Sequence, residues 1–243
     1  MMVREIVCKS VLNKSGIPGV DYCVNPYTGC SHACRYCYAS FMKKYTGHRE
    51  PWGSFVDAKV NAADVLERQL VKAAKGQVYM SSVTDPYQPA ENRYGLTRKC
   101  LEILLKHQFP VSIQTKSSLV LRDMDIIKKF KSIEVGFTIC MDDGHAAGLE
   151  PGASPPSERV EALRKLHEAG IRTYVFIGPV IPGVSDAAGI VKKTYGWTGH
   201  YFIDRLNMKG CALGMERPSD GYYERLKKEL SIVLKGKSHT FCY

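Results

Sequence analysis

The chain has 243 residues, 44% of them hydrophobic and 24% charged, with a formal net charge of +10. That length suffices for one large domain of the size of an α/β barrel, and the balance is ordinary for a soluble globular protein. The opening MMVREIVCKS has no long apolar stretch, and TYVFIGPVIPGV is too short and too broken by Gly and Pro to cross a bilayer, so a secretory signal and a membrane span are both excluded from the reading. A reducing, cytoplasmic setting follows as the expectation, in which nine cysteines read as metal ligands or free thiols rather than disulfides. The positive charge permits contact with nucleic acid. Its pairs (Lys43-Lys44, Lys128-Lys129, Lys192-Lys193, Lys227-Lys228) are nevertheless scattered, as on solvated helix faces.

In chain order, period and punctuation predict a strand over 21–25, a helix over 38–45 and a helix over 62–75, followed by a strand over 77–82 and a helix over 97–107. Then come a strand over 110–115, a helix over 123–131, a strand over 133–138 and a helix over 157–169. The last elements are a strand over 173–178, a helix over 186–194, a strand over 201–206 and a helix over 219–235. Asn61 and Ser157 read as N-caps, and Gly76 and Gly170 as the left-handed ends of the same helices. Val160, Leu163 and Leu166 form an apolar stripe that would lie on a sheet.

Six strands each followed by a helix argue for a parallel sheet with right-handed crossovers, either doubly wound or partly closed as a barrel. The C-terminal strand ends then carry the chemistry. No linker or repeat divides the chain, so residues 1–243 read as one domain with a core over about 20–206 and a C-terminal helix over about 219–235. Alternation groups Ser112 with Gln114 and Lys116, Met80 with Ser82 and Thr84, and Gly136 with Thr138 and Cys140 on one face. Val111, Ile113, Val135, Phe137 and Ile139 fall on the other. Helices covering the apolar set would leave the polar set converging inside, which suggests a ligand.

GCSHACRYCYAS places Cys30, Cys34 and Cys37 in the loop after the first strand. The spacing brings three thiolates to one inorganic cluster, and an iron–sulfur cubane with only three cysteine ligands keeps one iron open for a small molecule. Structural zinc is the other reading, with His32 in poor spacing or Cys23 from a distance as the fourth ligand.

CSHACRYC resembles the CxxxCxΦC motif of the radical S-adenosylmethionine (radical SAM) superfamily, with Tyr36 as the aromatic. NPYTGCSHACRYCYA, SSVTDPYQP, QTKS, GFTI, EPGASPPSERVEALRKLHEAG and GPVIPG are together similar to the spore photoproduct lyase branch, described as DNA-repair-photolyase-like, over about residues 20 to 206. The resemblance implies a partial (β/α)₆ TIM-type barrel. It also implies a 4Fe-4S cluster held by Cys30, Cys34 and Cys37, and S-adenosylmethionine chelated to the open iron. Reductive cleavage of that cofactor gives a radical that abstracts hydrogen from a substrate. The substrate is open, with a nucleic-acid component suggested by the family and the charge, and electrons come from an external flavodoxin- or ferredoxin-type donor. The contrasting reading is a zinc-stabilised nucleic-acid-binding module without catalysis.

The resemblance further implies cofactor contacts from Tyr36, Thr84, Asp85, Lys116, Thr138 and Arg159, and from Gly178 and Ile181 within the segment Gly178 to Gly183. One departure stands out. Where the lyase has a cysteine that returns hydrogen to the product radical, this chain has Ser82, whose O–H bond is too strong for that use. Cys140, at the end of the fourth predicted strand, is the substitute donor that the sequence offers. Without the lyase cysteine and much of its flanking sequence, repair of a thymine dimer is not the expected activity.

Overall fold

The computed structural model describes residues 1–209 and 211–243. Its strands are β1 (Met2–Ile6), β2 (Leu12–Lys14), β3 (Tyr22–Val24), β4 (Tyr27–Thr28), β5 (Phe55–Lys59), β6 (Val78–Met80), β7 (Val111–Thr115), β8 (Ile133–Thr138), β9 (Arg172–Val180), β10 (His200–Arg205) and β11 (Ser238–Phe241). The α-helices are α1 (Ala62–Leu70), α2 (Glu91–Tyr94), α3 (Leu96–Lys106), α4 (Met124–Ile127), α5 (Asp143–Leu149), α6 (Pro156–Glu168), α7 (Ala187–Thr194) and α8 (Asp220–Val233).

The main sheet runs β11-β10-β9-β8-β7-β6-β3-β2, parallel throughout except for the antiparallel pair β2 and β3 at one edge. The six predicted strands sit side by side in chain order. A doubly wound sheet reverses its strand order midway, and this one never does, so the crossovers all fall on one side and the sheet curls into a partial barrel. The two edge strands do not pair with each other, which leaves the barrel open.

Strand alternation decides the two faces. Val111, Ile113, Val135, Phe137, Val175 and Ile177 join Leu101, Leu104, Leu163 and Leu166 of the helices in one buried core. Burying each such side chain stabilises the fold by about 1.5–3 kcal/mol. The opposite face is the barrel interior, where register aligns Cys23, Tyr79, Ser112 and Glu134 in one layer and Gln114, Gly136 and Tyr174 in the next. The Tyr79 hydroxyl donates to Gln114 Oε1 at 2.7 Å, and Gln114 Nε2 donates to Thr138 Oγ1 at 3.0 Å. Gly136 is what makes room here, since a Cβ at that position would run into the Tyr174 ring.

The interior is polar as the alternation predicts, with one correction. Met80 faces the helices, fully buried in the core beside Val78, and Tyr79 takes the inward place. Ser81, immediately after, has a left-handed backbone (φ 69°), which breaks the alternation before Ser82 and Thr84 are reached. Its buried hydroxyl has no hydrogen-bond partner among the described residues.

Two of the expected caps also change. The Asn61 side chain pairs with both backbone groups of Cys8 at 2.9 Å instead of capping α1. Ser157 lies inside α6, bonded to Asp143. Helix α1 stops at Leu70, six residues before Gly76, whereas Gly170 does adopt the left-handed conformation (φ 80°).

Ahead of the barrel, β1, β5 and β4 form a small sheet that the sequence reading lacks. Its anchor is His48, buried between Glu50 and Asp57 at 3.0 Å each and stacked on Phe55 with ring centroids 3.8 Å apart. Strand β4 leads straight into the cysteine loop, so this sheet fixes where that loop starts. Buried Glu91 ties it to the barrel. Its carboxylate accepts from Tyr27 Oη at 2.5 Å, from the Thr97 and Arg98 amides at the start of α3 at 2.9 and 3.2 Å, and from Arg122 Nη2 at 2.7 Å. Glu91→Ala removes the cap of α3 and leaves the buried Tyr27 hydroxyl without its acceptor, while Arg122 keeps Asp123, so urea unfolding is expected to show a loss of about 2–4 kcal/mol.

Candidate active site

The loop leaving β3 at the C-terminal end of the barrel carries Cys30, buried, and Cys34 and Cys37, half-buried, all with free thiols. Burial pushes the Cys30 thiol up to about 12, and the nearby Asp85 and Cys37 add to it. Burial likewise pushes Cys34 well up, with Lys116 opposing and Glu150, Cys30 and Cys37 adding. Two buried thiols that are costly to ionise, Cys30 and Cys34, beside a third form a site that a cation would relieve. Among the described residues, no three His, Cys, Asp or Glu side chains close around the position of a single ion. A multi-iron cluster spreads its ligands over separate atoms and does not need them to converge on one point.

The loop is held by side chains that the sequence assigned elsewhere. Buried Gln88 accepts from the Ser31 amide at 2.9 Å and donates to the Gly29 carbonyl at 3.2 Å and to Thr84 Oγ1 at 2.9 Å. Thr84 Oγ1 itself donates to the Gly29 carbonyl at 2.5 Å. Asp85 accepts from Thr115 Oγ1 (2.7 Å) and from the amides of Lys116 and Tyr87 (2.8 Å each), and faces His32 Nδ1 at 3.4 Å. Burial alone would raise the Asp85 carboxyl. The facing His32 and the Thr115 and Lys116 donors outweigh that and hold it at about 2. Thr84 and Asp85 thus clamp the cysteine loop to the ends of β6 and β7. Gly152 completes the clamp. Its amide donates to the His32 carbonyl at 3.1 Å, and any Cβ there would collide with the Ser31 carbonyl.

A second clamp grips Tyr36. Its hydroxyl donates to Glu150, which pairs with Arg159, and both charged side chains are fully buried. Burial pushes the Glu150 carboxyl up, and Arg159 pulls against it. The remaining Arg159 donors reach the Ser154 carbonyl at 2.7 Å and the Thr138 carbonyl at 2.9 Å. Expected as a partner for the cofactor's carboxylate, Arg159 is instead sealed beneath the site with each guanidinium nitrogen bonded to protein. Cys140 is also fully buried, with Sγ 3.6 Å from Tyr36 Oη and 3.8 Å from Glu150 Oε1. It packs with Tyr36, Met141 and Ile181 in a small apolar cluster.

Lys116 is different. Its Nζ lies 5.6 Å from the centre of the Tyr36 ring, and its charge acts on both Cys34 and Cys140, yet it has no acidic partner among the described residues. Thr138 accepts from Gln114 on the interior face at 3.0 Å, and Gly178 lies in β9, three residues before Ile181. Tyr36, Ile181 and Cys34 share one apolar cluster, with Lys116 over the Tyr36 ring. The sequence reading missed Gln88, Glu150 and Tyr38. The last follows Cys37 directly and donates to the Ser82 carbonyl at the barrel rim, near Cys23 and Asp204. Burial raises the Asp204 carboxyl, and the amide and guanidinium of the adjacent Arg205 pull against it.

If Arg159 and Glu150 are a structural pair, removing one leaves the other charged and buried. Arg159→Met and Glu150→Gln are each expected to cost about 3–5 kcal/mol in chemical denaturation, and the double variant less than the sum of the two.

With this geometry in view, the comparisons are specific. The family model of the radical SAM superfamily matches residues 24–190. An uncharacterised protein of Methanocaldococcus jannaschii is 44% identical over 208 residues, covering 85% of this chain and 78% of that one. Spore photoproduct lyase, solved with dinucleoside spore photoproduct, superposes with a TM-score of 0.74 at 14% identity, over all of this chain and 81% of that one. SuiB of Streptococcus suis, bound to S-adenosylmethionine, gives 0.64 at 12% identity over 90% of this chain and 49% of that one. Members of the family use a 4Fe-4S cluster, S-adenosylmethionine and an outside reductant, and with more than half its length matched, this chain belongs to the radical SAM superfamily.

Proposed function

We propose that this enzyme cleaves S-adenosylmethionine reductively and takes hydrogen from a substrate with a nucleic-acid component, using Cys30, Cys34 and Cys37 as the three ligands of its cluster. The carrying observation is the pairing of three free, mutually close thiols with one unpaired cation, Lys116, at the mouth of a polar barrel. Bound there, the cluster and S-adenosylmethionine supply the radical chemistry that protein side chains lack. The chain's residues supply position. Lys116 offers a point charge to the cofactor's carboxylate, with Thr138 and Ile181 beside it. Asp85 and Gln88 fix the loop, and the Glu150–Arg159 pair fixes Tyr36, so the site is rigid before anything binds. An external flavodoxin- or ferredoxin-type protein delivers the electron.

Three features support the nucleic-acid component. They are the net charge of +10, the fold shared with an enzyme solved with a dinucleoside lesion, and an interior that mixes flat rings with amide and hydroxyl groups. Tyr79, Tyr174, Phe176 and Phe202 can stack on a base whose edge Ser112, Gln114 and Thr138 can meet. In this reading Cys140 does not donate hydrogen, because its thiol is shut away against Tyr36 and Glu150; it positions Tyr36.

Anaerobic reconstitution followed by reduction and EPR tests the reading. A cubane signal that shifts on addition of S-adenosylmethionine, with 5′-deoxyadenosine formed, is the expected result, and Cys→Ala at any of the three positions abolishes it. Lys116→Met should keep the cubane signal while weakening S-adenosylmethionine binding by about tenfold or more. Cys140→Ala should still complete turnover with unchanged product. A colourless protein that retains zinc would overturn the assignment.

A further inference from the structure

The eight residues after the last cysteine, Tyr38–Tyr45, form a 3-10 helix whose outer face is unlike the rest of the surface. Tyr38 is 50% exposed, Phe41 44% and Tyr45 75%. Of the large hydrophobic side chains that the described residues expose, only one other, Tyr195, is aromatic. None of the three stacks on another ring or lies under a cation among the described residues. They belong to none of the hydrophobic clusters. Phe41 and Tyr45 are left in water and take no part in the core, and Tyr38, tied by its hydroxyl at the barrel rim, keeps half of its surface open beside them.

The geometry of the element says what they suit. In a 3-10 helix, residues three apart eclipse and rise about 6 Å per turn, so Tyr38, Phe41 and Lys44 follow one another along a single line, with Tyr45 beside the last. That rise is close to twice the 3.4 Å spacing of stacked bases, the gap that seats one flat base between two rings. Cations accompany the rings. Lys43 and Lys44 lie in the same turn, and Lys43 Nζ reaches the carbonyl of Arg49 at 3.4 Å, so the backbone that carries a third basic residue passes beside this turn. The acidic residue nearest in sequence, Glu50, is already committed to Arg4 and His48. The inner end of the line is Tyr38, anchored on the Ser82 carbonyl at the barrel rim and close to Cys37.

We propose that Tyr38–Tyr45 and Arg49 form a rail for single-stranded nucleic acid, with bases on Tyr38, Phe41 and Tyr45 and phosphates on Lys43, Lys44 and Arg49, leading one nucleotide to the barrel mouth. The proposal rests on the reading of a nucleic-acid substrate and names the form in which it arrives. Alternating rings and cations serve single strands because every base has a flat face, whereas the bases of a duplex are stacked on each other and closed to this surface. A protein reductant or a second copy of the chain are the competing occupants of the same face.

The test is fluorescence anisotropy of the anaerobic holoenzyme with fluorescein-labelled oligothymidylate, oligouridylate and a duplex of mixed sequence. Expected are tighter binding of a single strand than of the duplex and an affinity that falls as salt rises, the two homopolymers deciding between DNA and RNA. Phe41→Ala with Tyr45→Ala should weaken single-strand binding by about tenfold or more. Lys43→Ala with Lys44→Ala should flatten the slope of log affinity against log salt by about one to two. Both pairs are exposed enough to leave the thermal unfolding curve and the formation of 5′-deoxyadenosine without substrate unchanged. Equal binding by wild type and the aromatic double variant, or a preference for duplex, overturns the proposal. So does a sedimentation profile in which that variant alone loses a dimer, or a reductant-driven rate that falls in the variant while oligonucleotide binding does not. Loss of 5′-deoxyadenosine from the wild type itself would instead strike the underlying reading, while the binding data could still be read on their own.

Discussion

Everything at the mouth of this barrel depends on keeping three thiols close together without joining any two of them. A loop with that burden gains little from hydrophobic packing and has to be tied by polar groups, each of which is expensive to bury unless fully met. Two buried carboxylates carry the task. Asp85 collects four donors from β7, its own turn and His32, and Glu150 joins Tyr36 to Arg159. One grips the loop near Cys30 and the other between Cys34 and Cys37, so the spacing of the cysteines is set by groups from three different strand ends.

This division of labour gives several motif residues work within the protein itself. Asp85, Thr84 and Arg159 all sit in segments similar to the spore photoproduct lyase branch, and all are spent on the protein itself. Lys116 is the exception, since its backbone serves the scaffold while its ammonium stays unpaired. A sequence shows that a charge is present at a strand end. Only the surroundings decide whether it has anything left to offer.

The barrel was legible because each strand is a short apolar run with turn residues on both sides, and because parallel neighbours follow in chain order. The six strands and the seven helical stretches fall where periodicity puts them, α1 and α4 being shorter than expected. The small sheet was not legible. Strands β1 and β5 pair across some fifty residues, and β4 has only two residues, too few for a pattern. The last strand, β11, is largely exposed and carries no apolar alternation. Met80 was turned the wrong way because alternation was carried back through Ser81, where the chain reverses its handedness. In the site, the placement of the three cysteines on one loop was readable from the chain. The Glu150–Tyr36 contact was not, because its partners lie 114 residues apart.

Ser81 has one more consequence. A residue in the left-handed region uncouples the direction of the side chains after it from the pleat before it. The segment from Ser82 to Asp85 therefore behaves as a replaceable tip on a fixed shaft. Exchanging the side chain at position 82, serine here and cysteine in the lyase, leaves the register of β6 with β3 and β7 unaltered. The same barrel can accordingly carry different groups at its rim with no repacking of its walls.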